Sequence, residues 1–338
     1  MAHLAKQLLL LLIFGAIANA EPIKIIYDTD IGNDVDDALA LAMLHNLQTR
    51  EECELLAVTI SKDNEECAPF VDAVNTFYGR GDIPIGVVKG GVTPEKSKFT
   101  GLIHERESGT LVYPHDLLSS ADAPEAAGLL RKTLSAQPDQ SVAIVQVGFS
   151  TNLARLLDSS PDQISPLSGA DLVKQKVKVL SVMAGAFQPI EGKPYREYNI
   201  VMDIPAARKL AKDWPTPIVW SGFEIGIALP YPAISIDKDF GYIDRHPIHE
   251  SYQLYMPTPH ERPTWDLTSV LWAVRPDRNY FSLSDEGHAD VSDAGFTQFR
   301  NTPGGMHRYL ILQPDQVERI REALTLLVSE SPRTAPAR

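Results

Sequence analysis

The stretch from Ile25 to Leu47, IIYDTDIGNDVDDALALAMLHNL, constrains this chain more than any other. A short apolar run, Ile23 to Tyr27, gives way to Asp28, Asp30, Asp34, Asp36 and Asp37. A helical pattern then begins, with Leu41 and Leu44 among its core-facing positions. The order is strand, acidic loop, helix. Five carboxylates within ten residues repel one another unless a cation sits among them, and an oxygen-only ligand set suits a hard ion, Ca²⁺ or Mg²⁺. Helix capping or a tight turn accounts for one or two such aspartates, not for the whole cluster. An EF-hand is excluded, because that loop needs an oxygen ligand at its fifth position, glycine at its sixth and glutamate at its twelfth. Here those positions hold Gly32, Asn33 and Leu39.

Further apolar runs at Leu55–Ile60, Ile85–Val88, Val142–Val147, Val177–Met183 and Ile218–Trp220 alternate with helical patterns near Pro69–Tyr78, Pro124–Ser135 and Ala206–Lys212. Repeated βα units imply a mostly parallel sheet with helices on both faces. Ligands of such sheets bind beyond the carboxyl ends of the strands, so the residues just after each strand are the candidates. After the second strand these are Ser61, Lys62, Asp63 and Asn64, which either touch a sugar or make a turn. Lys89 to Leu118 is a polar connection of the length that active-site loops sometimes have. A closing helix from about Asp315 carries Val317, Ile320, Leu324 and Leu327 at helical spacing, with Asp315 and Glu318 as its capping box.

At 338 residues with a formal net charge of −13, the chain disfavours nucleic acid and anionic membranes as partners, and a small molecule is the expected one. Lys6, the apolar run Leu8–Ile17 and the small residues Ala18, Asn19 and Ala20 have the layout of a signal peptide over residues 1–20, which implies export to an extracytoplasmic compartment. An uncleaved N-terminal anchor is the alternative. One domain is expected over 21–328 and a disordered tail over 329–338. Cys53 and Cys67 are expected as free, partly buried thiols, with a disulfide in an oxidising compartment as the alternative, since spacing alone does not place their Cβ atoms.

DTDIGNDVDDALAL resembles the N-terminal signature of the inosine-uridine-preferring nucleoside hydrolases, DTDPGxDDAxAL, with two extra residues between the glycine and the paired aspartates. GFSTNLARLL resembles that family's GPLTNLA, MAGAFQPIEGKPYREYN its MGGAF and EFN segments, and RPTWDLTSV its last motif. The four occur in the family's order between about Lys24 and Leu327. The resemblance implies a single-domain α/β fold, Rossmann-like, with an open, mostly parallel sheet. It also implies a Ca²⁺-dependent N-ribohydrolase that splits ribonucleosides into ribose and free base. Asp30, Asp37, Asp266 and the carbonyl of Thr151 would hold the ion. Asp30 would also serve as general base, with Asp36 and Asn199 on the ring hydroxyls and Glu197 on the 5′ side. The family's members are often homo-oligomers.

One departure concerns the leaving group. Where many members carry a histidine before the last aspartate, this chain has Trp265, which can stack on a base but has no titrating proton to give. His104, His249, His260 and Arg196 are the loop candidates for a replacement. Two other readings stay open on sequence. One is a riboside-binding relative without turnover. The other is a Mg²⁺-dependent phosphohydrolase of the haloacid dehalogenase type, with Asp28 as covalent nucleophile.

Overall fold

The computed structural model describes residues 21–332, so the expected signal segment and residues 333–338 of the expected tail lie outside the described residues. Its strands are β1 Ile23–Thr29, β2 Cys53–Lys62, β3 Ile85–Val92, β4 Arg106–Glu107, β5 Thr110–Leu111, β6 Val142–Gln146, β7 Val177–Met183, β8 Ile218–Ser221, β9 Ser282–Leu283, β10 Gly287–Val291, β11 Thr297–Asn301 and β12 His307–Ile311. β4 and β5 pair only with each other. The rest form one ten-stranded sheet in the order β11-β10-β12-β8-β7-β6-β1-β2-β3, with β9 beside β12. From β12 to β3 every pairing is parallel, while β9, β10 and β11 add an antiparallel border. The mostly parallel α/β sheet read from the βα alternation is therefore present, as one domain.

In β1, Ile25 and Tyr27 enter one apolar core and Ile26 the other, the period-2 arrangement of a strand covered on both faces. The first core also takes Leu41 and Leu44, Leu267, Val270 and Leu271, and Ile320, Leu324 and Leu327. The second takes Leu130, Leu153, Leu172 and Leu210. Chain order reverses at β1, whose neighbours are β2 on one side and β6 on the other. That is the switch point where doubly wound sheets leave a crevice at the carboxyl ends of their strands.

The helix Asp36–Thr49 is buried on every side from Asp36 to Leu47, which explains its run of alanine and leucine rather than one apolar stripe. It packs against the helices Trp265–Val274 and Val317–Ser329. Asn46 donates from Nδ2 to the carbonyls of Leu327 (2.8 Å) and Val328 (3.3 Å), tying the helix that follows the acidic loop to the last helix. Such a bond inside a core costs more to lose than it contributes when formed.

Several expectations need correction. The capping box falls on Gln313 and Gln316 around the short turn Pro314–Gln316, not on Asp315 and Glu318, because the helix proper starts only at Val317. Ser329 belongs to that helix and Glu330 pairs with Arg50 at 2.6 Å, so the ordered chain passes the expected start of the tail. Lys89–Leu118 is not wholly irregular: it holds the end of β3, a turn of 3₁₀ helix at Thr100–His104 and the β4–β5 hairpin. Both cysteines are free and buried, as expected, and burial pushes the Cys53 thiol up to about 12. No described helix is long and apolar enough to cross a membrane.

Candidate active site

At the switch point lies a cavity of about 450 Å³. The loop after β1 contributes Asp30, Asn33 and Asp34, and the helix Asp36–Thr49 contributes Asp36 and Asp37. Val147 and Met183 end the neighbouring strand segments. Glu197, Tyr198 and Asn199 come from the segment after β7, and Trp265 and Asp266 from the first turn of a later helix. Tyr195, Phe223, Tyr255 and Arg262 complete the lining. Gly148 lets the chain beyond β6 close against this loop, since a Cβ there would lie 2.4 Å from the backbone nitrogen of Asp30.

Carboxylate oxygens of Asp36, Asp37 and Asp266 lie within 4.8 Å of one another, and all three residues are buried. Burial, and then their mutual repulsion together with Asp30 and Asp34, raises all three carboxyls well above the ordinary range. Local donors hold them in place: Thr29 Oγ1 donates to Asp37 Oδ1, and the backbone N–H of Asp266 donates to Asp36 Oδ2 at 3.2 Å. Six carboxylates and one guanidinium line the cavity. This buried, oxygen-only and uncompensated donor set fits a divalent cation.

Asp30 stands beside the trio. Its Oδ2 accepts from Asn33 Nδ2 at 2.8 Å, and Asn33 Oδ1 accepts from Lys62 Nζ at 2.8 Å. Lys62 also donates to the carbonyl of Thr93 at 2.7 Å. Lys62, read from sequence as either a sugar contact or a turn residue, is the last residue of β2 and fixes the orientation of the Asn33 amide, and through it Asp30. Burial raises the Asp30 carboxyl to about 6. Glu197 accepts three backbone N–H bonds, from Gly185 (3.0 Å), Asn199 (2.8 Å) and Ile200 (3.1 Å), and burial still lifts it to about 7. Asn199 spends its Nδ2 on the carbonyls of Val147 (2.7 Å) and Met183 (3.0 Å), which leaves Oδ1 to accept from a ligand.

Part of the lining is aromatic. Tyr195 and Phe223 stack at 4.2 Å between centroids, and Phe223 meets Trp265 at 5.1 Å. Trp265 is fixed by its Nε1 bond to the carbonyl of Phe223 at 2.9 Å and by Gly226, where any Cβ would collide with it.

Two expected site residues are absent from the cavity lining. Asn64 does not line the cavity: its Nδ2 donates to the carbonyls of Pro94 and Glu95 and its Oδ1 accepts from the Glu66 N–H, so it is the turn residue of the two readings. Thr151, expected to offer its backbone carbonyl to the ion, is not in the lining either. It is the first residue of the helix Thr151–Asp158, and its side-chain hydroxyl donates to Asp203. None of His104, His249, His260 and Arg196 reaches the cavity lining, and His104 is turned outward onto Glu66. Asp28 is fully buried beneath the loop, accepting from Thr59 and Asn152, which removes it as a nucleophile and with it the dehalogenase-type reading. Asn33, Tyr195, Phe223, Tyr255 and Arg262 were not expected. For Arg262 the available signal was its place three residues before Trp265 in the last motif.

Asp28, Asp30 and Glu197 all have folded-state values above their unfolded ones, at about 7, 6 and 7. The stability they confer is therefore complete below about pH 4 and is lost as pH rises through 6 to 7. In a chelating buffer the melting temperature is expected to fall by about 5 °C or more between pH 5 and pH 8. A flat profile by differential scanning fluorimetry contradicts this account of the carboxylates.

The sequence model of the family described as inosine-uridine preferring nucleoside hydrolase matches residues 25–302. Among curated relatives, the inosine-uridine preferring nucleoside hydrolase of Leishmania major is 23% identical over 218 residues, covering 63% of each chain. The pyrimidine-specific ribonucleoside hydrolase RihA of Salmonella enteritidis is 31% identical over 230 residues, covering 64% of this chain and 65% of its own. These matches span a little under two thirds of the relatives' lengths. A plant nucleoside hydrolase, PpNRh1, shares the fold with a TM-score of 0.67 at 21% identity, over 91% of this chain and 99% of that one. With the family's sequence pattern running through almost the whole sheet, this chain belongs to the inosine-uridine preferring nucleoside hydrolase family.

Proposed function

We propose that the protein is an exported, Ca²⁺-dependent hydrolase of ribonucleosides, releasing ribose and free base. The observation that carries this reading is a cavity whose lining combines buried carboxylates with the rings of Tyr195, Phe223, Tyr255 and Trp265. A nucleoside calls for both, a polyhydroxylated sugar joined to a flat base. That relatives are nucleoside and ribonucleoside hydrolases supports this substrate class.

Asp36, Asp37 and Asp266 are the residues that would hold Ca²⁺, whose tolerance of high coordination numbers suits a crowded carboxylate set. When bound, the ion supplies Lewis-acid polarisation of oxygen and offsets the carboxylate repulsion. Asp30, held by Asn33, takes the proton from the water that attacks C1′. Asn199 Oδ1 accepts from a ribose hydroxyl, and Glu197 holds the segment that presents Asn199. As the glycosidic bond breaks, positive charge grows on the sugar ring, and the surrounding carboxylates stabilise it. Tyr195, Phe223 and Trp265 stack with the base.

Export rests on the N-terminal leader pattern. Glu21 is the expected first residue of the mature protein, checked by N-terminal sequencing. The activity is tested by reducing-sugar release from a panel of purine and pyrimidine ribonucleosides in the presence of Ca²⁺. Binding without release identifies the non-hydrolysing relative instead.

A further inference from the structure

We propose that Arg262 is the leaving-group residue of this site, donating a hydrogen bond to the nucleobase as it departs; the inference rests on the nucleoside hydrolase reading above. When the C1′–N bond breaks, its electron pair stays with the base, while the water oxygen bonds to C1′ and the water proton goes to Asp30. The base leaves as an anion and takes up a proton from solvent, to which Asp30 returns its own. An anion forming against an aromatic wall needs a donor or a positive charge nearby, because the low-dielectric surroundings disfavour it strongly.

The lining residues include no histidine, and Arg262 is their single cation. Burial raises the phenols of all three lining tyrosines, Tyr195, Tyr198 and Tyr255, above their ordinary value, so none gives up its proton readily. A guanidinium gives up none, but it donates hydrogen bonds at every working pH.

Arg262 is built into the cavity lining between Asp34 and the aromatic rings. Its guanidinium lies 5.1 Å from the ring centres of both Tyr255 and Trp265. Nε donates to Asp34 Oδ1 at 2.9 Å and Nη2 to Asp34 Oδ2, the two-point clamp that fixes a guanidinium plane. Nη1 has no hydrogen-bond partner among the described residues, so its donors are uncommitted. The backbone is held as well: its N–H donates to the Tyr252 hydroxyl and its carbonyl accepts from Tyr231 N–H, each at 2.8 Å.

Two departures from the family motif meet in this contact. Asp34 lies in the longer loop between Gly32 and Asp36, and Trp265 stands where many members have histidine. The longer loop therefore supplies the anchor for the cation beside the tryptophan. The assignment favours bases whose anion presents a carbonyl oxygen or ring nitrogen to a donor.

The test compares kcat/KM for inosine, uridine and p-nitrophenyl riboside in the wild type, Arg262→Gln, Arg262→Lys, the double variant Arg262→Gln/Asp34→Asn, and Tyr255→Phe. The double variant removes the pair without leaving a lone carboxylate. We expect Arg262→Gln and the double variant to lose about 10² to 10³ on inosine and uridine. On the nitrophenyl substrate, whose leaving group needs no help, the loss is less than about tenfold. Arg262→Lys recovers part of the nucleoside activity. Equal losses on all three substrates show a merely structural role and overturn the inference, as does a substrate-selective loss in Tyr255→Phe but not in Arg262→Gln. A wild type that cleaves none of the three overturns the proposed function itself, and the inference with it.

Discussion

Asp30→Asn lowers kcat for nucleoside hydrolysis by about 10² to 10⁴, the usual cost of removing a general base. The substitution is nearly isosteric, and Asn33 Nδ2, which donates to Asp30 Oδ2 at 2.8 Å, keeps an oxygen to bond to. Loop geometry is therefore retained while the proton acceptor is lost. The expected signature is a fall in kcat larger than any rise in KM. Measuring both on inosine and uridine decides the assignment: an unchanged kcat moves the base to another carboxylate, and a pure KM effect gives Asp30 a binding role only.

The second large effect is at Asp266, where the expected signs differ between activity and stability. Asp266→Asn removes one of three buried carboxylates whose ligand atoms lie within 4.8 Å. Without metal, the burial and the repulsion from Asp36, Asp37, Asp30 and Asp34 that raise the Asp266 carboxyl are no longer opposed to folding, so the variant should melt higher than the wild type in chelating buffer. With Ca²⁺ the order reverses. Saturation at a hundredfold over Kd stabilises the wild type by about 2.7 kcal/mol, a rise in Tm of about 5 °C. The variant gains little, and its activity falls by at least about 10³. A wild-type Tm indifferent to Ca²⁺, or a variant that still responds fully, rules out this cluster as the ion's site.

Much of this was legible in the chain because it depends on short-range pattern. The β-rich apolar runs and intervening helices identify a doubly wound sheet, and that topology says that Asp30 and Asn199, which follow strands, belong at one end of it, while Asp266 follows no strand and was placed by the family resemblance. The residues that were misplaced depend on which way a side chain turns. Asn64 and Asn33 are both polar loop residues near strand ends, yet Asn64 closes its own turn and Asn33 reaches Asp30. Nothing in the one-dimensional pattern separates them. Arg262 and Asp34 are 228 residues apart in sequence, and a pairing at that distance leaves no local trace. The capping box moved because the glutamine pair Gln313 and Gln316 caps the short turn Pro314–Gln316 that precedes the helix, two residues earlier than expected.

The bond from Asn46 to the carbonyls of Leu327 and Val328 spans 281 and 282 residues. It constrains the order in which the molecule can be completed during synthesis. The acidic loop is among the first segments to leave the ribosome, but the helix that follows it is buried all round only once the last helix has docked. Contacts of such sequence separation form late, because the loop they close is costly in entropy. The nascent chain thus carries its aspartates unassembled for most of translation, and a competent ion site exists only in the finished chain.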